Sequence, residues 1–358
     1  MSEAVVMDTP VQAIDQDIVL DVDQLKVHFP IHKGFFKRQV GAVRAVDGVS
    51  FKLRRGEVLG LVGESGCGKS TVAKALARAL EPTSGSITYY PPQGSSRDLA
   101  TLDDTQLLPF RSEIRMIFQD PYSSMNPRMT VEDIIGEPLL NLTDATPKER
   151  ETKIADLLRR VGLRPEYRRR FPHAFSGGER QRIVIARALA LDPKVVIADE
   201  AVTALDVSVR AQILDLLKDL QRDMSLTYLF IGHDLSVIRH ICDRVAVMYV
   251  GKIVELAATR DIYAKPLHPY TEALLASVPI PDPRLKSTSL VLEGEVPDPS
   301  NPPSGCSFHP RCRYAQDRCR VDEPELREIV PGRSAACHFS ETLDLQGVVI
   351  RPPDPVLT

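Results

Sequence analysis

Nine consecutive residues, Gly63-Glu64-Ser65-Gly66-Cys67-Gly68-Lys69-Ser70-Thr71, fit the pattern G-x-x-x-x-G-K-[ST] at every fixed position. Residues of these types at this spacing can cradle phosphates. Glycines without Cβ let backbone N–H groups converge on an anion, and a helix starting here adds partial positive charge. Lys69 would reach the β- and γ-phosphates of a nucleotide, and the Ser70 hydroxyl would ligate Mg²⁺. A glycine-rich turn that binds nothing can contain the same residues, so the flanking elements decide. Val58-Leu59-Gly60-Leu61-Val62 reads as a strand buried on both faces. Val72, Leu76, Ala79 and Leu80 share one face of a helix expected from Ser70 to about Leu80. Strand, glycine turn and helix in that order identify a nucleotide-binding loop.

A second constellation closes another apolar run. Lys194-Val195-Val196-Ile197-Ala198 reads as a buried strand that ends in Asp199-Glu200. That places two carboxylates at the carboxyl edge of a sheet, where ligands bind in open α/β folds. Asp199 would hold Mg²⁺, directly or through water, and Glu200 would polarise the water attacking a γ-phosphate. Alone, such a pair is also an ordinary turn; beside a matched phosphate loop it acquires a role. Ser176-Gly177-Gly178 precedes a helix with Ile183, Ala186, Leu189 and Ala190 on one face. It offers a hydroxyl, free backbone donors and a helix dipole to an anion, although an ordinary capped helix looks the same.

The elements around these residues alternate strand and helix. Residues 18–30 and 43–62 read as short strands around a loop, His32 to Gly41, that includes Phe35 and Phe36. Further strands are expected at Ile87–Tyr90, Ile114–Phe118, Thr227–Ile231 (with His233 just past its end) and Val245–Val250. Pro91 to Ser96 is a surface loop, and helical spacing between Thr130 and Phe175 marks an insertion outside the sheet. Val209, Ile213, Leu216, Leu217 and Leu220 mark a further helix. This alternation argues for a parallel α/β sheet. Beyond Pro266, where many of the 28 prolines lie, regular periodicity fades and a separate C-terminal appendage is expected.

Composition bounds the function. A length of 358 residues suggests two or three units with ample core. A formal net charge of -3 gives no electrostatic reason to expect nucleic acid, and Arg168-Arg169-Arg170 reads as a solvated face. No apolar stretch approaches the ~18 residues that a membrane span requires. Residues 1–17 are acidic and lack the build of a secretory signal, so a disordered tail on a cytosolic chain is expected. Cys67 reads as a small residue that fits the loop, with a thiol open to oxidation as the alternative, and Cys242 as buried filler. His28, His32, His173 and His240 show no partner pattern and read as structural or exposed.

Cys306, Cys312, Cys319 and Cys337 follow one another with five, six and seventeen residues between them. In a cytosolic chain four clustered thiols favour a metal over disulfides. Their gaps match neither the cysteine pairs of structural zinc nor the ferredoxin spacings, so spacing does not name the metal. All-thiolate ligation suits Zn²⁺ or an iron–sulfur cluster.

The phosphate loop, Gln119, Phe175-Ser176-Gly177-Gly178-Glu179, Ala198-Asp199-Glu200, Leu205-Asp206 and His233 follow one another as in the nucleotide-binding subunits of ABC transporters, which the chain resembles from about residue 18 to 340. The resemblance implies an α/β P-loop NTPase with a RecA-like parallel-sheet core, an antiparallel β subdomain and a helical subdomain at about 122–190. These lie within 18–265, and a small Cys-rich extension spans 266–358. It implies ATP and Mg²⁺ as ligands, the latter touched by Ser70, Gln119 and Asp199. Gly63, Ser65, Gly66, Cys67, Gly68, Lys69, Ser70 and Thr71 would surround the phosphates. Ser176, Gly177 and Gly178 would contact the γ-phosphate held by a second ATPase subunit, and Asp206 would lie at the seam between the two. Gln119 would touch Mg²⁺ and the attacking water, and His233 would hydrogen-bond the γ-phosphate. Phe29 occupies the position of the aromatic that stacks on adenine, with a core role as the alternative and Phe35 or Phe36 as substitutes. Ala201, Gly232 and Glu179 depart from the residues usual in the family without removing a catalytic group.

Leu267-His268-Pro269-Tyr270-Thr271, Asn301-Pro302-Pro303-Ser304-Gly305-Cys306 and Arg311-Cys312 resemble the C-terminal extension of the oligopeptide/dipeptide/nickel importer subfamily, closest to its dipeptide-permease ATPases. There the four cysteines ligate a [4Fe–4S] cluster; zinc is the alternative, reduced thiols the next, and His309 and His338 are spare neighbours. The resemblance implies a peripheral subunit on the cytoplasmic face of the membrane, powering import of short peptides. Its partners would be two membrane-spanning permeases, a second ATPase (a paralogue or a copy of itself) and, indirectly, a substrate-binding protein. Nickel or glutathione import and a soluble, non-transport ATPase are the alternatives.

Overall fold

The computed structural model describes residues 17–34, 38–120, 122, 124–277 and 294–348. The expected tail, apart from Asp17, lies outside these residues, as do Phe35 and Phe36. The chain opens with β1 (Ile18–Lys33), β2 (Arg38–Arg54), β3 (Val58–Val62), α1 (Lys69–Leu76), β4 (Ser84–Tyr89) and β5 (Arg97–Asp98). Next come the short helices α2 (Asp104–Leu107) and α3 (Phe110–Glu113), then β6 (Ile114–Ile117), α4 (Val131–Leu142), α5 (Pro147–Arg160) and α6 (Gly177–Leu189). β7 (Val195–Asp199), α7 (Val207–Met224), β8 (Thr227–Gly232), α8 (Leu235–Ile241) and β9 (Arg244–Tyr249) follow. The described chain finishes with β10 (Lys252–Ala258), α9 (Thr259–Ala264), α10 (Pro269–Ala276), α11 (Asp317–Val321), β11 (Arg327–Val330) and β12 (Arg333–Ala335).

Two sheets result, and each corrects an expectation. The first has the order β2-β1-β4-β5. Its first two strands are not short: they pair antiparallel from Ile18↔Arg54 to Lys33↔Arg38, with register shifts along the way that let the ribbon bend. The second sheet is eight-stranded, in the order β11-β12-β10-β9-β3-β8-β7-β6. Strands β9, β3, β8, β7 and β6 run parallel, but β10 pairs antiparallel with β9, β12 with β10 and β11 with β12, so the sheet is mixed rather than parallel throughout. The cause is local. Val250 and Gly251 take φ of 41° and 77°, and a two-residue hairpin of that hand can only lay β10 antiparallel beside β9. Because β12 pairs with β10 through Glu255↔Ala335, the proline-rich segment is no detached appendage but continues the main sheet. Helix α1 stops at Leu76, short of the expected Leu80, as Arg78 turns to a left-handed φ of 51°.

Alternate residues of the central strands feed two cores. Val58, Val62, Val196, Ala198, Tyr228 and Phe230 pack on one face with helices α4 to α8. Leu59, Leu61, Val195, Ile197, Leu229 and Ile231 pack on the other with β1, β2 and α1. Burial on both faces explains why these strands are continuous apolar runs. The helical insertion starts its helices where capping boxes specify them: Thr130 with Asp133, Thr146 with Glu149, and Ser176 with Glu179. Arg168 is not simply solvated. It pairs with Glu132 of α4 and Glu151 of α5, tying the insertion together, while Arg170 lies 4.1 Å from the Tyr167 ring centroid.

Glu255 of β10 is fully buried, and its carboxylate accepts the backbone N–H groups of Leu267 (2.8 Å) and His268 (3.0 Å), fastening the sheet to the start of α10. Burial raises its pKa to about 7 from an ordinary 4.5. The folded chain therefore holds this proton more tightly than the unfolded one. The stabilisation is complete below about pH 4.5 and is lost as pH rises through about 7. Glu255→Gln is expected to flatten the stability–pH profile between those limits by up to about 3 kcal/mol, read by urea unfolding of both proteins across that range.

Candidate nucleotide site

The parallel strands end in step. Val62 of β3 stands beside Gly232 of β8, Ile231 of β8 beside Asp199 of β7, and Ala198 beside Ile117 of β6. The loops leaving these strands therefore emerge along one edge, bringing the phosphate loop, His233, Asp199-Glu200 and Gln119 into one row. Their side chains meet there. Ser70 Oγ donates to Asp199 Oδ1 at 3.0 Å, Gln119 Nε2 donates to Glu200 Oε2 at 2.8 Å, and His233 Nδ1 lies 3.4 Å from Glu200 Oε1. Glu200 is thus held between an amide and an imidazole while remaining 15% exposed, open to a water molecule. Its φ of 48° is unusual for a residue with a Cβ and costs about 1–2 kcal/mol. The backbone hydrogen bond from Glu200 N–H to Ile231 C=O (3.0 Å) secures it.

Two glycines of the phosphate loop are required by space as well as by conformation. At Gly63 (φ 155°) a Cβ would come within 2.1 Å of the Met248 carbonyl oxygen, and at Gly68 (φ 108°) within 2.1 Å of that of Ala45. The loop is therefore wedged between β9 and β2, so that both sheets shape it. Lys69, only 5% exposed, donates from Nζ to the carbonyl oxygens of Gly63 and Glu64, each at 2.9 Å. Its ammonium lies folded over the loop, where a phosphate bound by the backbone N–H groups would meet it. Cys67 is buried, and burial raises its thiol pKa despite the nearby Lys69 charge. It fills space in the loop and stays protonated, against the oxidation-sensitive alternative.

Asp199 is also buried. Burial pushes its carboxyl pKa up, the Ser70 hydrogen bond opposes that, and the charge of Glu200 adds to the rise. A buried carboxylate touching a hydroxyl and bordered by a second carboxylate suits a hard divalent cation, which would favour its charged form. The residues present therefore fit Mg²⁺, which Ser70 and Asp199 would hold.

Other expected site residues stand elsewhere. Ser176 caps α6 through its bond with Glu179, and Gly178 packs so closely on α7 that a Cβ would come within 2.5 Å of Val209 Cγ1. Asp206 begins α7 exposed and makes no side-chain cap. Ser176 is exposed while Gly177 and Gly178 are half-buried, and the side-chain bonds described for Ser176 lie within its own helix start. Phe29 is 41% exposed on β1, which removes its alternative as a core residue. The four C-terminal cysteines are brought together: Cys306, Cys312, Cys319 and Cys337 line one cavity with His268, His309 and His338. Burial, with the neighbouring thiols adding, raises Cys306 to about 11 and Cys312 to about 12. Yet among the described residues no three His, Cys, Asp or Glu side chains converge tightly enough, as they stand, to hold a metal ion.

The sequence reading missed Glu64, Arg311 and Tyr270 as functional residues. Glu64 occupies a free position of the phosphate-loop pattern, and Arg311 lies 247 residues away, so only folding brings them together. The one available signal was that each stands inside a run already recognised, Glu64 in the phosphate loop and Arg311 in Arg311-Cys312.

Comparison with known proteins agrees with this geometry. The family model for ABC transporters matches residues 46–203, and that for the oligopeptide/dipeptide transporter C-terminal region matches residues 254–319. The chain is 50% identical over 330 residues to the oligopeptide transport ATP-binding protein AppF of Bacillus subtilis (strain 168), covering 91% of this chain and 99% of that one. It is 48% identical to the dipeptide transport ATP-binding protein DppF of Haemophilus influenzae, covering 89% of this chain and 96% of that one. The solved dimeric ATP-binding cassette MJ0796, in a post-hydrolysis state bound to ADP and Pi, superposes with a TM-score of 0.58 at 26% identity, covering 67% of this chain and 99% of that one. Among the described residues no helix is long and apolar enough to cross a membrane. On sequence, fold and site alike, the chain belongs to the ABC transporter family of ATP-binding subunits.

Proposed function

We propose that this chain hydrolyses ATP to power import of short peptides across the cytoplasmic membrane, as a peripheral subunit on its inner face. The observation that carries the reading is the placement of Glu200 between Gln119 and His233, one strand end from the Ser70–Asp199 pair. The peptide assignment rests on the relatives named for oligopeptide and dipeptide transport. In the mechanism, backbone groups of Gly63 and of Ser65 to Thr71, with the Lys69 ammonium, bind the β- and γ-phosphates, while the Glu64 N–H is taken by the Tyr270 hydroxyl. Ser70 and Asp199 would hold Mg²⁺ and Gln119 would touch it, and the ion would supply positive charge against the phosphate oxygens. Glu200 accepts a proton from water lined up by Gln119, and His233 donates to the γ-phosphate. Phe29 stacks on adenine.

One chain leaves the phosphates open on the side away from its own loop. Ser176, Gly177 and Gly178 of a second ATPase, a paralogue or another copy, close that side with a helix N-terminus, and Asp206 lies at the seam. Closure on ATP and reopening after hydrolysis drive two permease subunits, which receive peptide from a substrate-binding protein. The domain division is then a tail (1–17), a cassette (18–265, helical subdomain about 122–190) and a Cys-rich extension (266–358). In that extension we assign Cys306, Cys312, Cys319 and Cys337 to a [4Fe–4S] cluster, with zinc as the alternative. The support is that the four thiols, two buried (Cys319, Cys337) and two half-buried (Cys306, Cys312), line one cavity, and that burial, with the neighbouring thiols adding, raises Cys306 and Cys312, a cost that thiolate ligation would relieve. Bound there, such a group would supply a structural staple among four cysteines spread over about 30 residues of chain.

Two outcomes follow. Glu200→Gln keeps Mg-dependent ATP binding and lowers hydrolysis at least about 100-fold, trapping closed ATPase pairs seen by size-exclusion chromatography; near-normal turnover removes Glu200 as the base. Cys306→Ser with Cys312→Ser bleaches the brown absorbance of freshly purified protein and lowers its melting temperature. A colourless wild type with stoichiometric zinc selects the alternative, and a metal-free wild type rejects both.

A further inference from the structure

In the described hydrogen bonds the C-terminal segment reaches the phosphate loop at Glu64 and grips it twice. The Glu64 backbone N–H donates to the Tyr270 hydroxyl oxygen at 2.8 Å, from the start of α10. The Glu64 carboxylate accepts both terminal nitrogens of Arg311, at 2.7 and 3.1 Å. Arg311 is the residue before Cys312, and its side chain is only 5% exposed. Its guanidinium carbon lies 6.0 Å from the Tyr249 ring centroid, and Tyr249 in turn packs edge-on against Phe308, with centroids 5.2 Å apart, and against Tyr270 at 4.6 Å. The third polar group of Glu64, its carbonyl, is one of the two that hold Lys69 Nζ. So N–H and carboxylate are fixed from the C-terminal segment, and the carbonyl between them sets where the lysine sits.

The pairing also answers an electrostatic difficulty. A carboxylate in a loop built to receive phosphates repels them unless something neutralises it. Arg311 does so with a planar fork that matches the carboxylate, in a geometry a lysine would not reproduce. We propose that Arg311 is a positioning residue for nucleotide binding: through Glu64 it holds the phosphate loop and Lys69 in their phosphate-receiving arrangement and cancels the Glu64 charge. The C-terminal segment thereby sets the affinity of the site for Mg–ATP, and displacing that segment weakens nucleotide binding without altering any residue that contacts the phosphates. This rests on the reading of Lys69 as a phosphate ligand.

The test is Mg–ATP affinity and steady-state kinetics of the full chain in its assembled complex, for wild type, Arg311→Ala, and Arg311→Ala combined with Glu64→Gln. Arg311→Ala is expected to raise KM and the dissociation constant for Mg–ATP about tenfold or more, with a smaller change in kcat. Adding Glu64→Gln removes the unneutralised charge and is expected to recover most of that loss. A residue that merely holds the tail in place would show no such rescue. If Arg311→Ala does not fold, Arg311→Gln with and without Glu64→Gln makes the same comparison. Affinity within twofold of wild type in the Arg311 variant, or no recovery in the double variant, overturns the proposal. A wild type that fails to bind Mg–ATP overturns the nucleotide-site reading itself, and this inference with it.

Discussion

The structure depends on strand register. Four parallel strands, β3, β8, β7 and β6, finish within a residue of one another, so four loops with no sequence proximity open onto one edge. A one-residue slip in any pairing would turn the outgoing side chain to the other face and break the row. What fixes the register is burial on both sides: alternate residues of each strand enter one core or the other, leaving no free face to absorb a slip. The chemistry of the edge then follows from short contacts. Ser70 meets Asp199, and Gln119 and His233 hold Glu200, whose left-handed backbone is tolerated because the sheet beneath it is rigid.

The phosphate loop is constrained from three directions. β9 and β2 press their carbonyl oxygens where Cβ atoms at Gly63 and Gly68 would lie, and the C-terminal segment clasps Glu64. The same C-terminal segment adds β11 and β12 to the sheet next to β10. A region poor in periodic apolar pattern is therefore attached at the sheet edge, at Glu255 and at the loop. The contrast with Ser176–Gly178 is instructive. That helix start is well formed, with Ser176 exposed and Gly177 and Gly178 half-buried, and its described side-chain bonds stay within the first turn of its own helix.

Much of this was legible in the sequence because the signals are local. The phosphate loop is a contiguous pattern, and β7 and β8 are apolar runs of the right length. The errors arose where the deciding interaction is non-local or conformational. The antiparallel turn of β10 hangs on positive φ at Val250, which no β-branched residue advertises. Joining β12 to the main sheet needs pairing across about 80 residues, and Pro-rich composition argued against it. The long β1–β2 ribbon was shortened because charged and glycine residues near its tip broke the alternation. Arg311 and Glu64 were invisible for the same reason, being a pair made only by the fold.

The central claim is that one aligned strand edge forms a magnesium-dependent nucleotide site. Equilibrium dialysis of the purified full chain against labelled ATP, with and without Mg²⁺, tests it most directly. The account predicts saturable binding of one ATP per chain that weakens sharply when Mg²⁺ is chelated. Binding indifferent to Mg²⁺, or no saturable binding at all, would contradict it.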